Sequence, residues 1–147
     1  MSKNKLNYID LFAGAGGLSE GFIQSGYKPV AHVEMNEHAA KTIETRIAYY
    51  YLKDNGKIKS YYDYEKGKIT REQLLEIIPK DELKTVINKE MSESTIKGIF
   101  NTIDDIKKEK GIDKIDVIIG GPPCQAYSLV GRAQSLSLIH ISEPTRL

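Results

Sequence analysis

The sequence predicts an α/β domain with a mostly parallel sheet and helices on both of its faces. Three apolar, β-prone runs carry this prediction, at residues 7–12, 27–34 and 115–119. The first two are each followed by a stretch with helical spacing, and such alternation is typical of parallel strands joined by right-handed crossovers. The chain has 147 residues, of which 40% are hydrophobic and 28% charged. That composition indicates one globular domain.

The first half of the chain contains two strand–helix units. Residues 7–12 form the first predicted strand and lead through the glycine-rich residues 13–17 into a helix over 18–25, which Gly26 closes. Residues 27–34 form the second predicted strand. Asn36 then has the side chain needed to cap a second helix.

Residues from about 49 to 95 depart from this pattern, because tyrosines alternate with lysines there. Aromatic and basic side chains together can stack on and neutralise nucleic acid, but a solvated helical subdomain is the interpretation we favour. Thr70 and Gln73 have the spacing of a capping box, which predicts a short helix ending before Pro79. The segment is therefore predicted to be a helical insertion.

The α/β pattern is predicted to resume with residues 98–103, followed by a short helix over 105–110 and a strand over 115–119 that is buried on both faces. Residues 1–133 thus form one domain. Residues 134–147 fit no element and resemble translated sequencing adapter, so we expect this tail to be foreign to the fold.

Bulk features exclude several classes of protein. No run of eighteen apolar residues and no signal-peptide pattern is present, which predicts a cytoplasmic protein without a membrane partner. The single cysteine, Cys124, cannot form an internal disulfide, and the histidines lack metal-ligand spacing, so no metal is expected. The net charge of +1 neither supports nor excludes DNA as a partner.

The first candidate site is the glycine-rich turn at residues 10–17, together with Glu34 at the end of the second strand. A turn without side chains lets a ligand approach the backbone, and an acid at Glu34 can bind a ribose hydroxyl. A dinucleotide fingerprint begun at Gly14 would require glycine where Ser19 stands. The pattern therefore indicates a nucleoside-bearing ligand rather than a dinucleotide.

The second candidate site is the loop at residues 120–128, directly after the last predicted strand. Two prolines stiffen the backbone ahead of Cys124, and ligands of open α/β sheets bind at the carboxyl ends of the strands. Isolated cysteines are more often inert than reactive. Its place in a stiff loop at the ligand edge nevertheless favours Cys124 as a nucleophile.

These two motifs resemble those of the DNA cytosine-5 methyltransferases. Residues 10–22 are similar to the first signature motif of that family and residues 120–128 to its Pro-Cys motif, and the resemblance runs from about residue 8 to 132. It implies a truncated Rossmann-like fold of the S-adenosylmethionine-dependent methyltransferases. It also implies transfer of a methyl group from S-adenosylmethionine to C5 of cytosine in double-stranded DNA, in a bacterial restriction-modification system.

The resemblance also implies roles for individual residues. Cys124 is implied to be the catalytic nucleophile, acting on a cytosine flipped out of the duplex. Asp105, in a segment with Asp104 and Ile106, is implied to meet the adenine amino group. The full implied cofactor set is Asp10, Phe12, Ala13, Gly14, Gly16, Gly17, Leu18, Glu34, Met35, Asp105, Ile106 and Pro122. The implied contacts to DNA or the base are Pro123, Gln125, Ser128 and Arg132.

Several parts of the family's pattern are missing from this sequence. The glutamate that holds the cytosine, the later arginine motif and the target-recognition region are not found, so these residues alone are expected to be inactive. The main alternative is a non-catalytic module of the same fold that binds nucleosides or nucleic acid. A dinucleotide-dependent oxidoreductase is disfavoured by Ser19 and by the Pro-Pro-Cys loop.

Overall fold

The computed structural model describes residues 5–123, which form a parallel sheet of four strands with helices on both faces. The strands are β1 (Asn7–Leu11), β2 (Lys28–Val33), β3 (Val86–Ile87) and β4 (Val117–Gly120). Their order across the sheet is β3-β2-β1-β4. The helices are α1 (Gly17–Gln24), α2 (Glu37–Asp54), α3 (Lys59–Glu65), α4 (Arg71–Glu76), α5 (Lys80–Leu83) and α6 (Ile96–Lys110).

Alternate residues of β1 contact different helices, as a pleated strand requires. Ile9 belongs to the apolar cluster that contains Ile99 and Ile103 of α6. The hydroxyl of the preceding residue, Tyr8, bonds to Ser19 of α1. Because successive side chains of a strand point to opposite faces, α6 and α1 cover opposite faces of the sheet. The predicted architecture is confirmed.

A buried polar group fixes α1 to the sheet. The Ser19 hydroxyl lies 2.5 Å from the Tyr8 hydroxyl and 2.7 Å from Nε2 of His32, and all three side chains are buried. Burial lowers the pKa of His32 to about 4, so this imidazole stays neutral at physiological pH. Ser19 therefore has a structural function at the position where a dinucleotide fingerprint would have glycine.

The region of tyrosines and lysines is helical and has its own small core. Ala48 and Leu52 of α2 pack there against Leu74 and Ile78. The tyrosines contact one another, as in the edge-on pair of Tyr49 and Tyr61 with ring centroids 5.1 Å apart. Rings packed in this way are not presented as a row of stacking surfaces for bases. The helical interpretation is confirmed, and Thr70 forms the predicted capping box with Gln73.

Three predictions about the second half of the fold are wrong. Residues 98–103 and 105–110 are not separate elements, because one helix, α6, covers them both. The sheet also resumes earlier than predicted, at β3, within the stretch assigned to the insertion. Finally, β4 is not buried on both faces, since Ile118 is 63% exposed. Among the described residues β4 is an edge strand, so one of its sides has no neighbouring strand to cover it.

Candidate functional site

The glycine-rich turn connects the carboxyl end of β1 to α1 and lies against the end of β2. Phe12 has a positive φ of 59°, and Gly14 and Gly16 have φ values of 56° and 84°. The backbone N–H of Ala13 donates to the Val33 carbonyl at 3.0 Å, which ties the turn to β2. Left-handed backbone is uncommon for a residue such as Phe12, costs on the order of 1 kcal/mol, and concentrates at functional sites.

Glu34 lies on this turn and binds its backbone. One carboxylate oxygen accepts from the Gly14 N–H at 2.7 Å, and the other accepts from the Asn36 N–H at 2.7 Å. Asn36 in turn caps α2 by accepting from the Ala39 N–H. A carboxylate has about four lone-pair sites, so two of them remain for hydroxyl donors of a ligand. The structure thus brings together the two features that the sequence singled out at this edge.

Asp10 is the penultimate residue of β1 and is fully buried. Neither of its carboxylate oxygens has a hydrogen-bond partner among residues 5–123. Burial, with a smaller contribution from the negative charge of Glu34, raises the pKa of Asp10 to about 6. The site therefore contains a carboxylate whose charge is poorly compensated near neutral pH.

Asn88 is a site residue that the sequence did not reveal. It directly follows β3, and its amide nitrogen donates to the carbonyls of Glu34 and Met35 at 2.8 and 3.1 Å. Both donors of the amide are thereby engaged, which fixes its orientation and leaves its oxygen as an acceptor. The available indication was the β-branched pair Val86 and Ile87 followed by a polar residue.

Asp105 and Ile106 lie elsewhere. Asp105 is exposed on α6, nine residues after the first residue of that helix, and Ile106 is buried in the core beneath it. A crossover helix between parallel strands runs back from their carboxyl ends, so Asp105 is displaced by roughly 13 Å along the helix axis from this edge. Asp105 is thus exposed on α6, whereas Ile106 belongs to the apolar cluster against which Phe12 also packs.

The carboxyl end of β4 lies at the same edge of the sheet as the glycine turn. β4 pairs with β1 in parallel, with Gly120 opposite Leu11, so residues 121–123 follow the strand where the glycine turn begins. A Cβ atom at Gly120 would lie 2.2 Å from the Leu11 carbonyl oxygen. Pro122 is half-buried and Pro123 exposed. The predicted residues Cys124, Gln125, Ser128 and Arg132, and the tail at 134–147, lie outside the described residues.

The rim of this site is apolar and open. Leu18, at the start of α1, is 49% exposed, and Met35, just after β2, is 67% exposed. Phe12 is half-buried against the core of the sheet. Large apolar side chains left uncovered beside polar groups are typical of ligand sites.

Residues 5–123 contain neither a cluster of metal-ligating side chains nor a helix that could span a membrane. No group of three or more histidine, cysteine, aspartate or glutamate side chains in that range is arranged to hold a metal ion. None of the helices in the same range is both long and apolar enough to cross a lipid bilayer.

This chain is similar to known proteins over most of its length. The relatives include the type II methyltransferase M.Bpa9945I of Bacillus paralicheniformis, 34% identical, with 86% of this chain and 32% of the relative covered. The putative type II methyltransferase M.MjaORF1200P of Methanocaldococcus jannaschii is also 34% identical, with coverages of 84% and 36%. The chain thus spans about a third of the length of these relatives. No solved structure matches.

The match to a family covers nearly the whole chain. Residues 6–75 and 75–138 match the sequence pattern of the family described as C-5 cytosine-specific DNA methylase. Both halves of the candidate site, the glycine turn with Glu34 and the end of β4 with its loop, fall within the matched residues. The chain belongs to the C-5 cytosine-specific DNA methylase family.

Proposed function

We propose that these residues are the N-terminal part of a DNA cytosine-5 methyltransferase that uses S-adenosylmethionine. The observation that carries the proposal is the shared edge: Glu34 lies on the glycine turn where β4 leads toward Cys124. A methyl donor and a nucleophile must meet the same base, and the pairing of β4 with β1 at this edge supports a common site for the two. The names of the relatives support a type II modification system in a prokaryotic cell.

The described residues fit this cofactor. S-adenosylmethionine supplies an electrophilic methyl group on a cationic sulfonium and also carries an ammonium group. Asp10, buried without a hydrogen-bond partner among residues 5–123, would be stabilised by positive charge at this edge. Glu34 would accept from the ribose hydroxyls with its remaining lone pairs. Phe12, Leu18 and Met35 would cover the adenosine, and the backbone of the turn and Pro122 would line the remainder.

Cys124 would act on the base. Addition of its thiolate to C6 of cytosine moves an electron pair to C5, which then takes the methyl group. Loss of the C5 proton and departure of the thiolate restore the aromatic ring. Because these atoms are hidden in a duplex, the target base must first be flipped out. Pro123, Gln125, Ser128 and Arg132 would contact the flipped nucleotide or its backbone.

Double-stranded DNA as substrate requires more than these residues provide. With a net charge of +1, the chain has little net positive charge to neutralise phosphates. Since it spans about a third of its relatives, we propose that the remaining part supplies the DNA cleft and the group that holds the cytosine ring. The 147 residues alone should therefore transfer no labelled methyl to DNA. The protein continued to the length of these relatives, called the full-length protein, is the form in which the roles of these residues can be tested.

Glu34→Ala tests the cofactor site. The substitution removes the ribose acceptor and the bond to the Gly14 N–H, so S-adenosylhomocysteine should bind about 5- to 150-fold more weakly, a loss of about 1–3 kcal/mol. Isothermal titration calorimetry measures this change. Glu37→Ala is the matched control, because that exposed glutamate forms its ion pair within residues 5–123 with Lys41 alone, and it should leave binding intact. Equal affinity of the Glu34 variant and the wild-type protein would remove Glu34 from the site.

Asn88→Ala and Asp105→Ala together decide which residue serves the adenine. We propose that the Asn88 oxygen accepts from the adenine amino group, because this amide is held at the edge by Glu34 and Met35. Asn88→Ala should weaken binding of S-adenosylhomocysteine about 5-fold or more, and Asp105→Ala should have little effect. The reverse order of effects in the same titrations would restore the assignment to Asp105 that the sequence favours.

A further inference from the structure

We infer that Arg46, on α2, is a positioning residue that holds the glycine turn in the conformation that binds the cofactor. The inference rests on the proposed function and adds to it a contact from outside the recognised motifs. Arg46 lies thirty-one residues after Ala15, on a helix whose C-terminal half carries the helical insertion.

The guanidinium contacts the junction between the glycine turn and α1 at two points. Its Nε donates to the Ala15 carbonyl at 2.9 Å, and its Nη1 donates to the Glu20 carboxylate at 3.0 Å. Ala15 precedes the start of α1 and Glu20 lies in its first turn, so one rigid fork connects both sides of the junction. A lysine could not reproduce both bonds, since its charge is a single point.

The bond to Ala15 completes the fixing of the turn. The Gly16 N–H, which belongs to the same peptide plane as the Ala15 carbonyl, donates to the Ala13 carbonyl at 3.0 Å. The peptide of Gly14 is held by Glu34, and that of Ala13 by Val33. Glycines impose little conformational restriction of their own. Without Arg46, the peptide plane between Ala15 and Gly16 would therefore keep the Gly16 hydrogen bond but lose the one to the Ala15 carbonyl.

The stem of Arg46 also lies against the turn. A Cβ atom at Gly16 would be 3.3 Å from Cδ of Arg46. Tyr50, one helical turn further along α2, donates from its hydroxyl to Glu20. This bond is the main cause that keeps the pKa of Glu20 below its usual value, and Arg46 contributes in the same direction. Glu20 therefore remains ionised and paired across the neutral range.

A purely structural function of Arg46 and a positioning function predict different effects on melting temperature and on cofactor affinity. The side chains of Arg46 and Glu20 are 40% and 26% exposed, and ion pairs so accessible to water add little to global stability. Loss of Arg46 should therefore leave the melting temperature nearly unchanged, while a turn free to change its peptide orientation should bind the cofactor less well.

The test compares Arg46→Ala, Arg46→Lys and Lys41→Ala in the full-length protein. Lys41 is the matched control, because it is a cation of the same helix whose side chain, in the part of the chain that the structure describes, pairs with Glu37 alone. Calorimetry with S-adenosylhomocysteine should show about 10-fold weaker binding for Arg46→Ala, partial recovery for Arg46→Lys, and wild-type affinity for Lys41→Ala. The KM for DNA and the melting temperature should stay near their wild-type values.

Three other results would overturn the inference about Arg46. Wild-type affinity in Arg46→Ala would overturn the inference and leave the proposed function intact. Weakened binding accompanied by a large fall in melting temperature would assign Arg46 a structural function instead, which also overturns the inference. Failure of the wild-type protein itself to bind S-adenosylhomocysteine would reject the proposed function and this inference with it.

Discussion

Cys124→Ser is expected to abolish methyl transfer in the full-length protein and to leave cofactor affinity nearly unchanged. A serine hydroxyl is a far weaker nucleophile than a thiolate at neutral pH, so addition to C6 would stop and C5 would not become nucleophilic. The turnover number should fall on the order of 10⁴-fold or more, which is typical of removing a nucleophile. Transfer of tritiated methyl to DNA measures the loss.

The covalent step can be observed separately. In DNA that contains 5-fluorocytosine, the C5 substituent cannot leave as a proton, so the thiolate cannot be eliminated after methyl transfer. Wild-type protein should therefore form a protein–DNA adduct that survives denaturing electrophoresis, and Cys124→Ser should form none. Calorimetry with S-adenosylhomocysteine supplies the control, since both proteins should bind it equally. Full transfer activity in the serine variant would reject the covalent mechanism.

The local features of the site could be predicted from the sequence because short-range chemistry determines them. A run of glycines between an apolar strand and a helix restricts the backbone to a turn, and Glu34 follows the next strand at a spacing set by the same unit. The capping interactions of Asn36 and Thr70 are likewise local, and both are present in the structure.

Features that depend on distant partners could not be predicted. β3 has only two residues, and it is a strand because His32 and Val33 pair with Val86 and Ile87. Without that strand, Asn88 is indistinguishable from any polar residue of an insertion, so the sequence favours Asp105 for the acidic position of the family. The apolar spacing of Ile99, Ile103 and Ile106 does indicate a helix, but Gly98 and the β-branched residues favoured two shorter elements.

Arg46 is a further case of this kind, because no local pattern distinguishes it from the other cations of the chain. Its function depends on the approach of α2 to the start of α1, and the sequence separation between Arg46 and Ala15 conceals that approach. The same holds for Gly120, whose importance comes from the proximity of a neighbouring strand rather than from a special backbone conformation.

Gly120→Ala should damage both the fold and the site. The added Cβ would lie 2.2 Å from the Leu11 carbonyl oxygen and 3.2 Å from its carbonyl carbon. These are backbone atoms of a paired strand and cannot rotate away, so β4 must separate from β1 at its carboxyl end. Overpacking of this kind costs about 1–3 kcal/mol of unfolding free energy, and chemical denaturation of the full-length protein measures it.

The matched control for Gly120→Ala is Gly98→Ala. Gly98 is an exposed residue of α6, and nothing lies within 4 Å of the Cβ atom that alanine would add. Alanine favours helix over glycine by up to about 1 kcal/mol, so this variant should be as stable as the wild-type protein or more so. Equal stability of the two alanine variants would contradict the close approach of β4 to β1.

The displacement in Gly120→Ala also has a functional consequence, because both halves of the site begin at this pair of residues. Leu11 precedes Phe12 and the glycine turn, and Gly120 leads through two prolines to Cys124. Prolines transmit a shift of the strand end to the loop, since their fixed φ allows little adjustment. The folded fraction of this variant should therefore show weaker binding of S-adenosylhomocysteine and a turnover reduced about 100-fold, as misplacement by about 1 Å produces. Wild-type turnover per folded molecule would mean that the two halves of the site adjust independently of the strand pair that joins them.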